Sequence, residues 1–190
     1  MEFKIEVANA THNKYAKAIC RLIEESAKIR GTGIAKREPE YVIKKLESGN
    51  AVIALQGETL AGFCYIEKWQ HGKYVANSGL IVNPIFRKQG LARKIKYKAF
   101  ELARTKFPQA KIFGITTNSG VMKINTELGY VPVAFAELTK DDTFWNGCQS
   151  CPNYDILQRN KRKLCLCTGM LAPSAEELKM KVNLSKMILA

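Results

Sequence analysis

The sequence predicts an α+β fold built as a single domain, and three observations carry that reading. Strand-like runs and amphipathic helix patterns interleave along most of the chain. Three consecutive strands stand in the middle with turn residues between them. At 190 residues, with 46% hydrophobic and 25% charged residues, the chain is long enough for one real core and too short for two ordinary ones.

Taken in order, Phe3 to Ala8 alternates as a strand should, and Thr11 is expected to cap the helix that follows. Tyr15, Ile19, Cys20 and Ile23 then recur at helical spacing until Gly31-Thr32-Gly33. Pro39 suits the first turn of a shorter helix that Gly49-Asn50 ends. Two strands, Ala51–Leu55 and Thr59–Trp69, flank a hairpin signal at Gln56-Gly57-Glu58, and His71-Gly72 turns the chain into a third that reaches Val82. Leu91, Ile95, Ala99, Leu102 and Ala103 mark one face of a helix that Phe107-Pro108 stops. A buried strand at Lys111–Thr117, a short helix at Ser119–Gly129 and a strand at Tyr130–Leu138 follow. After a longer connection, Arg162–Leu171 reads as the last strand. Ser174 and Glu177 have capping-box spacing for a terminal helix over 172–190, in which Met180, Leu184, Met187 and Ile188 form an apolar stripe. That stripe serves either core packing or a homodimer contact. The domain proper is expected over 1–171.

No apolar run reaches the length of a membrane span or has the form of a secretory peptide, so a soluble, cytoplasmic protein with no membrane role is expected. The net charge of +13 favours an anionic partner: nucleic acid, membrane surface or a polyphosphate ligand. The basic residues are densest at Arg87–Lys98 and Arg159–Lys163, and apart from Tyr97 they are not interleaved with aromatics for base stacking. No nucleic-acid partner is therefore expected.

The first basic cluster has a local logic. In Phe86-Arg87-Lys88-Gln89-Gly90-Leu91-Ala92-Arg93-Lys94 an apolar strand gives way to a helix through a glycine turn. A helix N-terminus offers unpaired N–H groups and about half a positive charge. Gly90 allows positive φ, and Ala92 keeps the surface small. The arrangement fits a pyrophosphate.

Arg87 to Ala92 resembles the (R/Q)xxGx(G/A) acyl-CoA signature of the GNAT superfamily of N-acyltransferases. The segment from Thr116 to Tyr130 resembles that family's asparagine-led helix, ending here in Leu128-Gly129-Tyr130, and the element order agrees from Phe3 to about Leu171. The resemblance implies a splayed, mixed but mostly antiparallel sheet flanked by helices, with acetyl-CoA or another acyl-CoA as co-substrate. Pantetheine would pair with Leu80, Ile81 and Val82 on the fourth strand. Arg87, Lys88, Gln89, Gly90, Leu91 and Ala92 would cradle the pyrophosphate, and Asn118 would approach the pantetheine. Where many members carry a tyrosine that protonates the departing thiolate, this chain has Asn125, and an amide is no acid. Glu67, Asn77, Ser78 and His71 are polar residues near the expected reaction centre, and none is singled out as the base.

Lys36 and Arg37 lie in a segment that resembles a region of N-acetylglutamate synthases whose basic residues hold the carboxylates of glutamate. The resemblance implies a small-molecule amine acceptor, glutamate first, receiving an acetyl or succinyl group. A protein lysine or N-terminal acceptor is the alternative, because this fold serves those too, and a basic nucleic-acid-binding module is the remaining rival class. Finally, Cys148 and Cys151 (Cx2C) and, after thirteen intervening residues, Cys165 and Cys167 (CxC) can point two thiol pairs at one centre. A structural zinc clip is one expectation, with packed reduced cysteines and a redox pair as the others.

Overall fold

The computed structural model describes residues 2–29 and 33–180. Seven strands, β1 (Lys4–Val7), β2 (Ala51–Gln56), β3 (Thr59–Trp69), β4 (Tyr74–Val82), β5 (Lys111–Thr116), β6 (Val131–Val133) and β7 (Thr168–Ala172), form one sheet in the order β1-β2-β3-β4-β5-β7-β6. Every neighbouring pair is antiparallel except β4–β5. Helices α1 (Ala16–Ala27), α2 (Pro39–Glu47), α3 (Leu91–Lys106), α4 (Ser119–Glu127), α5 (Asp142–Asn146) and α6 (Tyr154–Arg159) cover it. The mixed, mostly antiparallel sheet flanked by helices is the architecture the resemblance implied.

The strand alternation sorts the core by face. Ala51, Ile53, Leu55 and Phe63 pack against Ile19, Ile23, Val42 and Leu46 of α1 and α2. Val52, Ala54, Cys64 and Ile66 face Leu91, Ile95, Ala99 and Ala103 of α3. Each such aliphatic side chain, removed from water, contributes roughly 1.5–3 kcal/mol. A third cluster, with Phe113, Phe135, Trp145 and Leu157, lies under the connection that carries α5 and α6.

Several expectations are corrected. Asn9, not Thr11, opens the first helical segment: its side chain accepts from the Thr11 N–H at 2.9 Å and pairs in a capping box with His12. A 3-10 segment, Ala10–Tyr15, precedes α1, so the helix starts later than its apolar spacing indicates. The strand expected over Tyr130–Leu138 shrinks to three residues, Val131–Val133, because Phe135–Glu137 coils into a 3-10 turn. The last strand starts at Thr168, so Cys165 and Cys167 precede it. The alternation survives in that segment, with Leu164 and Leu166 outward and both cysteines inward. The Ser174–Glu177 capping box forms, with the Ser174 N–H donating to Glu177 at 2.7 Å and the Glu177 N–H to Ser174 at 3.0 Å. It opens a helical stretch at 175–180 in which Met180 is exposed. Leu184, Met187 and Ile188 lie outside the described residues, as does Gly31.

Candidate active site

The site is set by a fork in the sheet. Parallel pairing places Tyr74, Val75 and Ala76 opposite Lys111, Ile112 and Phe113 and then ends, so β4 and β5 diverge from Asn77 and Gly114 onward. Beyond the fork, β4 also slips register against β3 between Phe63 and Tyr65. Gly79 sits at this bulge with φ of +65°, and a Cβ there would stand 2.5 Å from the Tyr65 ring. Leu80, Ile81 and Val82 therefore carry their backbone along the diverging edge, where the pantetheine strand was expected.

At the end of β4, Arg87 Nε donates to the Val82 carbonyl at 3.3 Å and ties the basic loop to the strand. Gly90 has φ of +72° and precedes α3 as its N-cap, with no side-chain cap on the helix. Lys88 is also left-handed, at φ of +63°. Alternating backbone hands of this kind turn successive N–H groups toward one anion. Arg87, Lys88, Gln89 and Gly90 are exposed, and Leu91 is buried to anchor the loop. Asn118 caps α4, its side-chain oxygen accepting from the Val121 N–H at 3.0 Å, which leaves its amide N–H groups free to donate.

Across the sheet lies a cavity of about 540 Å³. Its wall brings together Arg37 ahead of α2, Tyr41 on α2, and Tyr65 and Glu67 on β3. The Arg37 guanidinium donates to Tyr65 Oη at 2.9 Å and to the Lys36 carbonyl at 2.7 Å. It also stands within 6 Å of both the Tyr41 and Tyr65 ring centres, at 5.5 and 5.9 Å. Burial alone would lower its pKa, but Tyr65, Tyr41 and Glu67 outweigh this and raise it. Glu67 accepts from the Tyr41 hydroxyl and from Lys45. Burial, with Tyr65 and Glu67 nearby, pushes the Tyr41 pKa upward. Lys36 is different. It is largely exposed, and its ammonium lies 3.9 Å from Glu24, so only Arg37 of the predicted pair is built into the wall. The polar strand residues also separate: Asn77 is buried on the α3 side, Ser78 faces the cavity, and His71 sits exposed in a left-handed turn.

Cys148, Cys151, Cys165 and Cys167 all line the far wall of this cavity. Cys148 and Cys151 share a turn, with the Cys151 N–H donating to the Cys148 carbonyl at 2.9 Å. Burial, then the neighbouring cysteines, push the Cys148 and Cys167 thiols up to about 11 and about 12. All four are free thiols, and among the described residues no three metal-ligating side chains converge in coordinating geometry. The basic residues between the pairs turn away: Arg159 pairs with Asp155 at 3.1 Å, and Arg162 pairs with Asp142.

The Tyr41–Tyr65–Glu67 set was not foreseen as a unit. Its signal was present as the alternation Phe63, Tyr65, Glu67 and Trp69, which puts polar groups on the cavity face of an otherwise apolar strand.

A parallel fork beside a bulged strand and a glycine-capped basic helix is the arrangement that the resemblance to the N-acyltransferases implied. The family model of the acetyltransferase (GNAT) family matches residues 16–120, more than half of the sequence. The chain belongs to this family of acyl-CoA-dependent N-acyltransferases. Among solved structures it resembles the N-acetylglutamate synthase of Neisseria gonorrhoeae complexed with coenzyme A and N-acetyl-glutamate, with a TM-score of 0.64 and 17% identity over 92% of this chain and 35% of that one. It is similar to Rv2747 from Mycobacterium tuberculosis in complex with CoA (TM-score 0.63, 14% identity, 90% and 98% covered). It also resembles the NatC complex bound to Gag peptide and CoA (0.60, 14%, 91% and 99%). At these identities the likeness speaks for the fold. The chain spans about a third of the Neisseria synthase. A search of curated proteins found no match. Among the described residues no helix is long and apolar enough to cross a membrane.

Proposed function

We propose that the protein transfers an acetyl group from acetyl-CoA to an amine whose carboxylate is held by Arg37. On this reading Leu80, Ile81 and Val82 pair with pantetheine, the loop from Arg87 to Ala92 seats the pyrophosphate, and the Asn118 amide donates to the arm. The acceptor enters from the opposite side, through the cavity. The observation that carries the proposal is the Arg37 guanidinium. It is oriented by Tyr65 Oη and the Lys36 carbonyl, and among the described residues no carboxylate pairs with it, so one edge can accept a ligand carboxylate. Glu67, opposite Ala76 in the register and on the Tyr65 face, takes the proton that the attacking amine must lose. Backbone N–H groups beside Ile81 stabilise the developing oxyanion.

A dicarboxylic amino acid such as glutamate fits an arginine-bearing cavity of this size, with an acetyl or succinyl donor and a place in amino-acid biosynthesis. The comparisons favour a polypeptide amine at least as strongly, since the similar NatC complex is bound to a peptide. The apolar far wall, with Phe135, Phe144 and Trp145, supports that second reading. Thiol release from acetyl-CoA, measured with L-glutamate, other amino acids and short peptides, separates the two. Saturable turnover of glutamate that Arg37→Ala weakens supports the first. Turnover of peptides alone replaces it with the second.

The four thiols are proposed to take up zinc as a clip on the far wall, which requires their sulfurs to converge on one centre. Elemental analysis of protein purified without chelator is expected to find near one equivalent. Less than a quarter would remove the clip.

A further inference from the structure

Lys96 is the group that the mechanism so far leaves unused. It lies on α3 one residue beyond Ile95, is 2% exposed, and faces the sheet rather than solvent. Its Nζ donates to the Asn77 carbonyl at 3.3 Å. Asn77 and Gly114 are the first residues of β4 and β5 past the end of their pairing. Nζ stands 3.9 Å from the point a Cβ on Gly114 would occupy, and the Asn125 amide nitrogen stands 3.9 Å from the same point. The Lys96 side chain thus ends at the apex of the fork, and the asparagine that replaces the family tyrosine reaches the same point from α4.

Among the described residues no counter-charge adjoins it. From β3 comes the Cys64 thiol, which donates to Asn77 Oδ1 at 2.9 Å. From β4 comes the Asn77 carbonyl, from α4 Asn125, and after α4 the Tyr130 ring, centred 5.8 Å from Nζ. No carboxylate is among these neighbours. Asn77 Nδ2, Asn125 Oδ1 and Tyr130 Oη are buried without a partner. Burial lowers the Lys96 pKa, which the nearby Cys64 offsets only in part. A buried ammonium with one carbonyl partner is costly to a fold, so its retention at the fork points to a use.

We propose that Lys96 is the acid that protonates the departing CoA thiolate, filling from α3 the role that Asn125 on α4 cannot. This rests on the acyltransferase reading above. The amine nitrogen bonds to the thioester carbonyl carbon and loses a proton toward Glu67. As the tetrahedral intermediate collapses, the carbon–sulfur bond breaks and its electron pair goes to sulfur. Sulfur takes a proton from the Lys96 ammonium, giving amide and free thiol. Neutral Lys96 is reprotonated from solvent once the thiol leaves. A lysine whose pKa has been lowered toward that of a thiol is better matched to this transfer than an ordinary one.

The test compares wild type with Lys96→Met and Lys96→Arg. CoA release from acetyl-CoA is followed with L-glutamate or a short peptide as acceptor, and acetyl-CoA affinity is measured separately. The methionine variant is expected to keep its acetyl-CoA affinity within about threefold and to lose roughly 10- to 100-fold in kcat. Because it removes an unpaired buried charge, it is also expected to melt higher than wild type. A purely structural lysine would give the opposite pairing, with a lower melting temperature and unchanged kcat. Wild-type kcat should fall as pH rises and the ammonium is lost. That limb should vanish in Lys96→Met and equally in Lys96→Arg, whose guanidinium keeps its proton across the accessible pH range and so gives none to sulfur. A methionine variant with kcat within twofold of wild type, or with the falling limb intact, overturns the proposal. Should the variants not fold, titration of wild-type ε-labelled lysines by NMR serves instead. One lysine must titrate well below the rest and shift when acetyl-CoA binds, and the absence of such a lysine overturns the proposal. Wild type that neither binds nor turns over acetyl-CoA removes both readings. Wild type that does both, while Lys96→Met matches it, removes this one alone.

Discussion

On the sheet face covered by α1 and α2, the two half-buried ionised groups that α2 and β3 bring together, Arg37 and Glu67, both have partners. Glu67 is held by Tyr41 and Lys45, and Arg37 is braced by Tyr65. On the face covered by α3, Lys96 is buried more deeply and has one carbonyl. Both faces meet at the same few residues of β4. The difference shows two ways of keeping charge inside a fold. One is a mutually satisfied network that can hold a charged acceptor without rearranging. The other is a lone group held at a cost in stability, which a fold retains where the charge has a use.

The largest break in this comparison comes from the bulge that joins the two faces. Gly79→Val puts a Cβ against the Tyr65 ring at a backbone of positive φ, so a loss of about 3–5 kcal/mol by chemical denaturation is expected, with loss of Arg37 bracing. Glu67→Gln tests the network as chemistry. It should lower kcat about 100-fold with acetyl-CoA affinity unchanged, and a KM effect alone would make Glu67 a binding group. Arg37→Ala should raise the acceptor KM about 30-fold, near 2 kcal/mol of charge-assisted hydrogen bonding, and leave acetyl-CoA affinity intact.

The lone lysine makes a different kind of prediction. Its folded pKa lies below the unfolded value of about 10.4, so between the two the unfolded chain holds a proton that the native state has shed. Stability must then rise with pH through that window, and the penalty is constant below it. The difference in stability between wild type and Lys96→Met should carry this slope, and a flat difference would mean that Lys96 keeps an ordinary pKa. The smallest effect is expected at the exposed loop. Arg87→Ala should weaken acetyl-CoA binding only a few-fold, more at low salt than at high.

Much of the fold was legible because local chemistry and tertiary structure agree. Gly90 adopts the left-handed backbone its turn needs, Pro39 stands in the first turn of α2, and Ser174 and Glu177 cap as spaced. Thr11 misled because Asn9, two residues earlier, has a side-chain oxygen better placed to accept from the first turn. Residues 134–167 were the least legible. Their helices are five and six residues long, too short for a periodic signal, and they are held by contacts such as Trp145 Nε1 donating to the Thr139 carbonyl at 2.8 Å. The loop half of the site could be read because it is contiguous in sequence. The acceptor wall could not, because Arg37, Tyr41 and Glu67 meet only when α2 packs on β3. Lys96 was hidden among the lysines of a basic helix. Yet it stands three residues before Ala99 and seven before Ala103, within the inward stripe, and that placement was its one signal.

Whether the fork and the basic loop seat acetyl-CoA is decided by calorimetric titration of the wild-type protein with it at two ionic strengths. One site per chain of micromolar affinity, weaker at the higher salt and accompanied by a rise in melting temperature, is the predicted result. No heat and no thermal shift with acetyl-CoA at either salt would contradict it.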